Sequence, residues 1–375
     1  MNVKTIDVAG LFSDESLNSR IELLVAVKSF DLQAIQKRYI ESLKRSKTGS
    51  VSRRKPALGG LVHIIIENGK IVLEEPIAKL REPRGISIKK DKIAISSENR
   101  IFIFGQEEHS TIIIDHPWLS YIHTVRFDNS GSHLLVSSSG LDMILEFNLL
   151  DNICLWEWLA WEHGINIGYD PSTNAEFHLT RSMEKAEEYH RSGIDYYLID
   201  EPKKQHLPTA LRAAFINSAE YALDGDILAT LFHSGSAIKI SKSDGSWNEI
   251  INNLSKPHGC MTMGDEFLIT DTGGGNVIVF DNNRRCNYSF NNVEGKSNSM
   301  HYLEWLQFSS YYQLMLIAED SNRKQFTIID RNKSVKLDVK HNPNWAVQEF
   351  AILDDSNVKL LHQIKDYFKN LKNIS

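Results

Sequence analysis

The sequence has few cysteines, no long apolar run and no excess of positive charge. Its three cysteines are odd in number and widely separated, which argues against a disulfide-stapled scaffold and predicts a reducing, cytoplasmic location. Acidic residues interrupt the apolar ones at the N-terminus, so we expect neither a secretory signal nor a membrane span. The net charge of −6 at pH 7 provides no global attraction to nucleic acid or to an anionic membrane, and we expect neither as a partner.

What the sequence does contain is a repeat with a period near forty. Each copy starts at an anchor residue and continues with small and apolar residues, a turn and a strand. The anchors are separated by 39 (123−84), 41 (258−217), 43 (301−258) and 44 (345−301) residues. Such periods, with several short strands in each copy, are typical of a β-propeller. The anchor residues are Arg84, His123, Asn217, His258, His301 and Trp345.

The two ends of the chain predict the number of blades. The strand that starts at Trp345 is followed by a Lys-rich tail, whereas the strands within residues 22–73 lack an anchor strand. Together they complete one blade, which removes an exposed sheet edge. We therefore predict that residues 1–375 form one all-β domain, a six-bladed β-propeller closed by both termini. A seventh blade is the alternative if residues 163–207 contain degenerate strands.

One interval indicates an insertion between blades 3 and 4. The anchors His123 and Asn217 are 94 residues apart, which is two periods with one clear copy. We assign the extra residues to 161–208, a segment with a predicted helix after the N-cap residue Ser182. Long insertions in compact domains are usually lids or binding loops, so we expect a lid over one end of the channel. Packing on the rim or binding a partner is the alternative.

Residues 29–56 form a second segment outside the regular blades. Apolar residues at helical spacing predict a short helix, followed by a loop rich in Lys, Arg and Ser. The basic runs in this loop are local. We interpret them as a solvated loop rather than as a nucleic-acid patch.

The anchors predict a polar cluster on the propeller axis, because equivalent positions of successive inner strands face a common centre. His123, His258 and His301 would supply three ligands to a transition metal, Fe or Zn, and leave a coordination position open for catalysis. The alternative is free of metal. One histidine then acts as a general base or nucleophile, Asn217 lies beside it, and Arg84 binds a carboxylate, sulfate or phosphate.

Further contacts to a substrate are expected from residues near the same end of the channel. His233 follows a strand and is predicted to enter the funnel of axial side chains. Trp161 belongs to the predicted lid, and Trp345 is the last anchor. Aromatic walls with a few polar groups are typical of small-molecule pockets.

Two segments resemble known propeller families. The stretch from Asn217 to Ile240 looks like a blade of the bacterial arylsulfotransferase-like propellers. Residues 257–259 (Pro-His-Gly) and 271–281 (Asp-Thr-Gly-Gly-Gly-Asn-Val-Ile-Val-Phe-Asp) are similar to blades that those proteins share with strictosidine-synthase and gluconolactonase-like six-bladed propellers. The resemblance covers about residues 84–285 and implies the fold. For activity, the resemblance implies an axial histidine that is transiently sulfated and further His and Arg residues that bind the sulfuryl group. His123, His258 and Arg84 are the corresponding candidates.

Together these patterns predict an enzyme that acts on a small molecule at a histidine-rich site in the propeller channel. The residues assigned to catalysis are His123, His258, Arg84 and Asn217. A metabolite-binding propeller without turnover is one alternative, and a protein-interaction scaffold is the other. The sequence names neither the substrate nor the reaction.

Overall fold

The computed structural model describes residues 2–15, 17, 20–45, 47–105 and 111–371. Over these residues the chain is mostly β, with 29 strands and three α-helices. Short runs of β-branched and aromatic residues between Gly, Asn and Asp turns favour such strands. Within the described ranges, no helix has the length and apolar character needed to cross a lipid bilayer.

The N-terminal part of the chain contributes to three sheets. Its elements are β1 (Asn2–Asp7), β2 (Phe12–Ser13), β3 (Ile21–Ser29), α1 (Leu32–Ser42), β4 (Leu58–Glu67) and β5 (Lys70–Arg81). Strands β3, β4 and β5 pair antiparallel in one sheet. Asp31 caps α1, because its carboxylate accepts a hydrogen bond from the Ala34 N–H at 2.9 Å.

Two sheets of four consecutive antiparallel strands follow. Their strands are β6 (Pro83–Lys89), β7 (Lys92–Ser97), β8 (Arg100–Gly105), β9 (Thr111–Ile114), β10 (Ile122–Phe127), β11 (His133–Ser138), β12 (Met143–Asn148) and β13 (Cys154–Leu159). The chain then forms a small three-stranded sheet and a helix within the predicted insertion. These elements are β14 (Ile167–Asp170), β15 (Ala175–Thr180), α2 (Met183–Arg191) and β16 (Tyr196–Leu198).

Three more sheets of consecutive strands come next, and β1 and β2 extend the last two of them by one outer strand each. The strands are β17 (Ile216–Tyr221), β18 (Ile227–Leu231), β19 (Ser236–Ile240), β20 (Trp247–Ile251), β21 (His258–Met263), β22 (Glu266–Asp271), β23 (Asn276–Phe280), β24 (Arg284–Ser289), β25 (Leu306–Tyr312), β26 (Met315–Asp320), β27 (Gln325–Asp330) and β28 (Val335–Lys340). The described chain ends with β29 (Ala346–Ile352) and α3 (Asp355–Leu371).

The inner strands of the sheets form a ring. Strand β29 pairs antiparallel with β3 and so becomes the first strand of the N-terminal sheet. The strands β6, β10, β17, β21, β25 and β29 contact one another in this order, and β29 also contacts β6. The sheets therefore radiate from a common axis, and the architecture is a propeller-like β fold.

The core lies between neighbouring sheets. Their strands present buried apolar faces to each other, and the largest such cluster extends from β7 to β19 and includes Trp158 and Phe147. Helix α3 covers the sheet of β6–β9 with the buried side chains Ile364 and Phe368. Face-to-face packing of this kind holds each inner strand at a fixed distance from the axis.

Each inner strand departs from regular pairing near its N-terminal end. The register shifts lie at 83–86, 122–125, 216–218, 258–260, 306–308 and 346–349. A bulge re-aims the side chains beside it, and bulges are frequent near functional sites. The ring therefore has one end at which six strands share the same irregularity.

Candidate functional site

A cavity of about 360 Å³ lies where the inner strands begin. Four side chains from the irregular positions line it, and the remaining lining comes from His258 at the start of β21, Lys28 on β3, the connecting loops, α1 and residues 48–54. A cavity of this volume suits a ligand of small-molecule size. The four side chains are Arg84, His123, Gln307 and Gln348.

The two glutamines correct the predicted register of the last two repeats. Gln307 and Gln348 are 41 residues apart (348−307), the interval that also separates Asn217 from His258 (258−217). The connection before β25 spans residues 290–305, whereas residues 252–257 connect β20 to β21. Because of this longer connection, the last two inner strands begin later in the sequence than the repeat period predicts. The predicted anchors His301 and Trp345 therefore precede the residues that face the axis.

His301 and Trp345 consequently do not lie where they were predicted. His301 is exposed, follows a short 3-10 turn and donates from Nδ1 to the Asn298 carbonyl at 2.8 Å. Trp345 is buried and stacks on His341, with ring centroids 6.2 Å apart. Neither residue lines the cavity. The roles predicted for them, metal ligand and substrate contact, are therefore corrected.

Arg84 and His123 form a buried pair at the cavity wall. Arg84 Nη1 lies 2.9 Å from His123 Nε2, and His123 Nδ1 lies 3.1 Å from the Tyr121 carbonyl oxygen. Because a carbonyl only accepts, Nδ1 carries the proton and Nε2 accepts from the guanidinium. Burial and the neighbouring Arg84 lower the pKa of His123 well below its ordinary value, so the imidazole is neutral at pH 7.

Glu82 holds two arginines of this wall from behind. Its backbone is left-handed, with a φ of 44°, and its carboxylate accepts from Arg54, from Arg84 at 3.0 Å and from the Ala57 N–H at 3.0 Å. Burial alone would raise the pKa of this carboxyl, but Arg84 and Arg54 outweigh it and hold the pKa at about 2. Glu82 is therefore ionised and fixes both guanidinium groups.

Arg212 reaches the cavity from the loop before β17. This loop wraps around the buried carboxylate of Asp142, which accepts the backbone N–H groups of Ala213 at 2.9 Å, Ala214 at 3.1 Å and Phe215 at 2.6 Å. With its carboxylate occupied in this way, Asp142 fixes the backbone and makes no ion pair with Arg212 within the described chain. Burial lowers the pKa of Arg212 to about 10, so the guanidinium is still charged at pH 7.

Tyr121 lies among three guanidinium groups. The guanidinium carbons of Arg212, Arg84 and Arg54 are 4.9, 5.2 and 5.8 Å from the centre of its ring. Cations over an aromatic face are attracted by its quadrupole, which reduces the cost of assembling like charges. The structure thereby brings three arginines to one wall, and the Glu82 carboxylate pairs with two of them.

His258 and Asn217 lie beside this wall. His258 lines the cavity, and its Nδ1 is 3.2 Å from the Lys256 carbonyl oxygen and 2.8 Å from Thr272 Oγ1. Burial lowers the pKa of His258 to about 3, so it is neutral, with Nε2 unprotonated. Asn217 is buried and donates from Nδ2 to the Pro257 carbonyl at 3.1 Å.

Positive charge and unmet hydrogen-bonding capacity distinguish the cavity. Its lining contains seven Lys and Arg side chains and one acidic residue, Glu41. Several buried polar atoms around it have no hydrogen-bond partner in the part of the chain that the structure describes. They are Arg45 Nε, Arg84 Nε, Arg212 Nε and Nη1, Asn217 Oδ1, Gln307 Nε2 and Gln348 Oε1. Buried polar groups are nearly always paired in native proteins, so these atoms indicate a missing ligand or water.

The cavity is covered by α1 and the loop that follows it. Ile35, Arg38, Tyr39 and Ser42 lie on one helical face and line the cavity. The loop is tied down by a hydrogen bond from the Ala210 N–H to Ser50 O at 3.0 Å. Residues 161–208 do not contribute to the lining. The predicted lid role of that insertion therefore stays a prediction, and the observed cover comes from the other irregular segment.

Trp161 and His233 have positions different from those expected. Trp161 is buried and donates from Nε1 to Asp142 at 3.2 Å, which helps to hold the loop that carries Arg212. His233 donates from Nε2 to the Thr209 carbonyl at 3.0 Å. Neither lines the cavity, so both support the wall from outside it.

The described residues do not fit the predicted transition metal. They contain no group of three or more His, Cys, Asp or Glu side chains placed to hold a metal ion. Of the predicted trio, His123 and His258 remain together, but the Nε2 of His123 lies 2.9 Å from a guanidinium nitrogen. A cation at that position repels a second one. The metal-free alternative stays a prediction.

Sequence reasoning missed Lys28, Arg212 and the two glutamines. The interval of 41 residues between Gln307 and Gln348 could have revealed the glutamines. Lys28 lies on β3 and Arg212 on a loop, so neither occupies a repeated position on an inner strand. No sequence signal marked these two cations.

Comparisons with known proteins support the fold alone. No family model matches the chain, and no curated protein matches it in sequence. Among solved structures, a protein of unknown function from Bacteroides caccae is 15% identical, with a TM-score of 0.51 over 90% of this chain and 100% of that one. A streptogramin B lyase is 10% identical (TM-score 0.43, 72% and 93% covered), and a virginiamycin B lyase from Staphylococcus aureus is also 10% identical (TM-score 0.41, 69% and 84% covered).

Proposed function

We propose that the protein binds a small organic anion in the axial cavity. The observation that carries this proposal is Arg212. Its side chain is buried and charged at pH 7, it makes no ion pair with a described residue although Asp142 attracts it at longer range, and two of its nitrogens make no hydrogen bond there. An unpaired buried charge is strongly destabilising, so a protein retains one where a ligand of opposite charge compensates it.

The neighbouring groups support an anion with two or more oxygens. Arg84 Nε and Gln307 Nε2 are donors without a hydrogen-bond partner among the described residues, and both side chains line the cavity with Arg212. The planar guanidinium group binds carboxylate, phosphate and sulfate oxygens in pairs. Glu82 fixes Arg84 before a ligand arrives. Such preorganisation reduces the entropy that binding loses.

The aromatic lining supports an apolar or planar portion in the same ligand. Tyr39 and Trp305 lie with ring centroids 5.0 Å apart, and both line the cavity together with Phe232. Trp305 Nε1 already donates to Gln307 Oε1 at 2.8 Å, so this indole offers its apolar surface. The preferred ligand class is therefore an aromatic or aliphatic carboxylate, phosphate or sulfate ester.

We also propose the finer description of the fold. Six inner strands follow one another around the ring, and the one from the C-terminus belongs to a sheet of N-terminal strands. This arrangement supports a six-bladed propeller in which β29 and β3 close the circle. The families that the sequence resembles stay a fold-level proposal.

Turnover is a second candidate, favoured by His258. This imidazole lines the cavity as a neutral base, because its Nδ1 proton is held by a carbonyl and its Nε2 is unprotonated. A bound anion would raise the low pKa of this imidazole toward neutral pH, where a histidine serves as a general base. Binding without turnover needs only the cations, and for that reason it is the primary proposal.

Isothermal titration calorimetry with phenyl phosphate tests the binding proposal. We expect phenyl phosphate to bind, and inorganic phosphate and phenol each to bind more weakly. Arg212→Met should reduce the affinity about 10- to 100-fold, since hydrogen bonds to a charged group contribute about 1.5–3 kcal/mol. Arg191→Met is the matched control, because Arg191 is exposed on α2.

Two outcomes would overturn the proposal. Equal affinity of wild type and Arg212→Met for phenyl phosphate would place the anion elsewhere. Failure of phenyl phosphate, benzoate and phenyl sulfate to bind at millimolar concentration would favour the interaction-scaffold alternative. Circular dichroism of each variant checks that the fold is retained.

A further inference from the structure

Of the two lysines that line the cavity, Lys28 is the one without a polar partner among the described residues. It lies at the end of β3, lines the cavity and is only partly exposed. Its Nζ lies 5.7 Å from the centre of the Trp305 ring, and it makes no hydrogen bond or ion pair to any described residue. By contrast, Lys256 lines the same cavity and donates to Tyr39 Oη at 2.9 Å.

The surroundings of Lys28 favour its neutral form. Burial, followed by the positive charges of Arg84 and Arg54, lowers its pKa to about 7. Glu82 and Glu319 act in the opposite direction, but Glu82 is already paired with both arginines. A large fraction of this amine is therefore unprotonated at neutral pH, and an unprotonated amine is a nucleophile.

We propose that Lys28 forms an imine with the carbonyl carbon of a small aldehyde or ketone that also carries an anionic group, of which a 2-oxo acid is the simplest. The proposal rests on the anion site of the proposed function. That site would hold the carboxylate at Arg212 and Arg84, while the carbonyl carbon meets Lys28. One cavity thus contains the two groups that such a substrate requires.

The reaction balances without an oxidant or reductant. The lone pair of Nζ attacks the carbonyl carbon, the carbonyl π electrons move to oxygen, and the oxygen takes up one proton as the nitrogen loses one. The nitrogen lone pair then forms the C=N bond, and the hydroxyl group leaves as water with a second proton from nitrogen. His258 lines the same cavity with Nε2 unprotonated, and the bound carboxylate would raise the low pKa of this imidazole, so that it carries the proton between these steps.

Reductive trapping with glyoxylate and cyanoborohydride tests the imine. We expect one major adduct per chain, located at Lys28 by peptide mapping, and formed at least ten times faster than adducts at the exposed Lys333. Lys28→Arg should abolish this adduct, while Lys256→Arg and Lys333→Arg should retain it. The trapping rate should be half-maximal near pH 7 instead of near the pKa of an ordinary lysine, about 10.4.

Further variants separate this proposal from the one on which it rests. Arg212→Met should raise the glyoxylate concentration needed for half-maximal trapping about tenfold and leave Lys28 reactive at saturation. If phenyl phosphate binds but trapping is spread over exposed lysines without Lys28, the imine is refuted and the anion site stands. If neither phenyl phosphate binding nor trapping at Lys28 occurs, both proposals fail. Trapping at Lys28 that is unaffected by Arg212→Met would refute the role of the anion site in placing the substrate.

Discussion

At the residue scale, the site is a group of cations within an acidic protein. The chain carries a net charge of −6, yet seven of the residues that line its axial cavity are Lys or Arg. Three residues reduce the cost of this concentrated positive charge. Tyr121 contacts three guanidinium groups, and Glu82 pairs with two of them. Asp142 holds the loop that carries Arg212. Local charge, rather than net charge, therefore describes what the cavity attracts.

Replacing Lys28 by Met should stabilise the ligand-free protein. The pKa of Lys28 is about 7 in the folded state and about 10.4 in an unfolded chain, so the unfolded state binds the extra proton between these values. The destabilisation by Lys28 is therefore fully present below about pH 7 and disappears as the pH rises to about 10. We expect Lys28→Met to raise the free energy of unfolding by roughly 1–3 kcal/mol at pH 7, measured by urea denaturation.

The exposed Lys37 on α1 provides the control for this prediction. Lys37→Met should change the free energy of unfolding by less than about 0.5 kcal/mol. A Lys28→Met variant no more stable than wild type at pH 6 and at pH 7 would show that Lys28 is not destabilised by its surroundings.

Replacing Glu82 by Gln should have the opposite effect. The folded pKa of about 2 lies below the usual carboxyl value, so the stabilisation by Glu82 is fully present above about pH 4.5 and is lost as the pH falls toward 2. Glu82→Gln should therefore cost on the order of 3 kcal/mol at pH 7 and less at pH 3. Urea denaturation at both pH values measures this, with the exposed Glu176→Gln as control. An equal loss at both pH values would rule out an electrostatic origin.

Sequence reasoning found part of this site. Arg84, His123 and His258 were predicted from in-phase positions, and all three line the cavity. Lys28 and Arg212 were not predicted, because a sequence repeat identifies only positions that recur in each copy. Their placement depends on tertiary contacts, such as the Asp142 carboxylate that folds the loop before β17.

At the element scale, the bulges of the inner strands decide which side chains reach the axis. A bulge adds one residue to the strand. Even when the repeat period is correct, the residue predicted to face the axis can therefore be wrong by one or two positions. This explains why His258 lines the cavity from a position adjacent to the bulge residue Gly259. The bulge of β25 and the long connection before it explain why Gln307, and not the predicted His301, faces the axis.

The prediction at this scale concerns the cover formed by α1 and residues 47–54. Because these residues line the cavity or bind its loops, a ligand should slow their local opening. We expect phenyl phosphate to reduce tryptic cleavage within residues 47–55 at least several-fold and to leave cleavage in α2 unchanged. Limited proteolysis followed by mass spectrometry measures both segments in one experiment. Protection confined to residues 161–208 would instead restore the insertion as the lid.

At the scale of the whole molecule, polar contacts across the axis join distant parts of the chain. Arg126 on β10 donates from Nε to Glu220 on β17 at 2.8 Å and contacts Glu349 on β29 at 2.5 Å. Three inner strands are thereby connected beyond the cavity. The sequence predicted the pairing of β29 with the N-terminal strands. The C-terminal end of the chain has an inner strand without outer strands, and the N-terminal end has outer strands without an inner one. It could not predict this ion-pair network, because the contacts depend on the size of the ring.

Arg126→Met should therefore destabilise the entire fold. It would leave the buried Glu349 and the half-buried Glu220 without their cation, at a cost of about 3–5 kcal/mol. Burial raises the pKa of Glu349 to about 7 even in the presence of Arg126, so the loss in the variant should grow as the pH rises from 5 to 8. Thermal unfolding across this pH range measures the effect, and Arg181→Met, at a partly exposed ion pair, should cost less than about 1 kcal/mol. A loss that does not depend on pH would contradict this account.

The most direct test of the central claim is to locate the anion. Crystals grown with 4-bromophenyl phosphate would show the bromine by anomalous scattering and the phosphate by its density. We expect the phosphate oxygens within about 3 Å of the Arg212 and Arg84 nitrogens and the ring beside Trp305. Occupancy of the surface cleft lined by Lys4, Arg284 and Arg331, with an empty axial cavity, would contradict the claim.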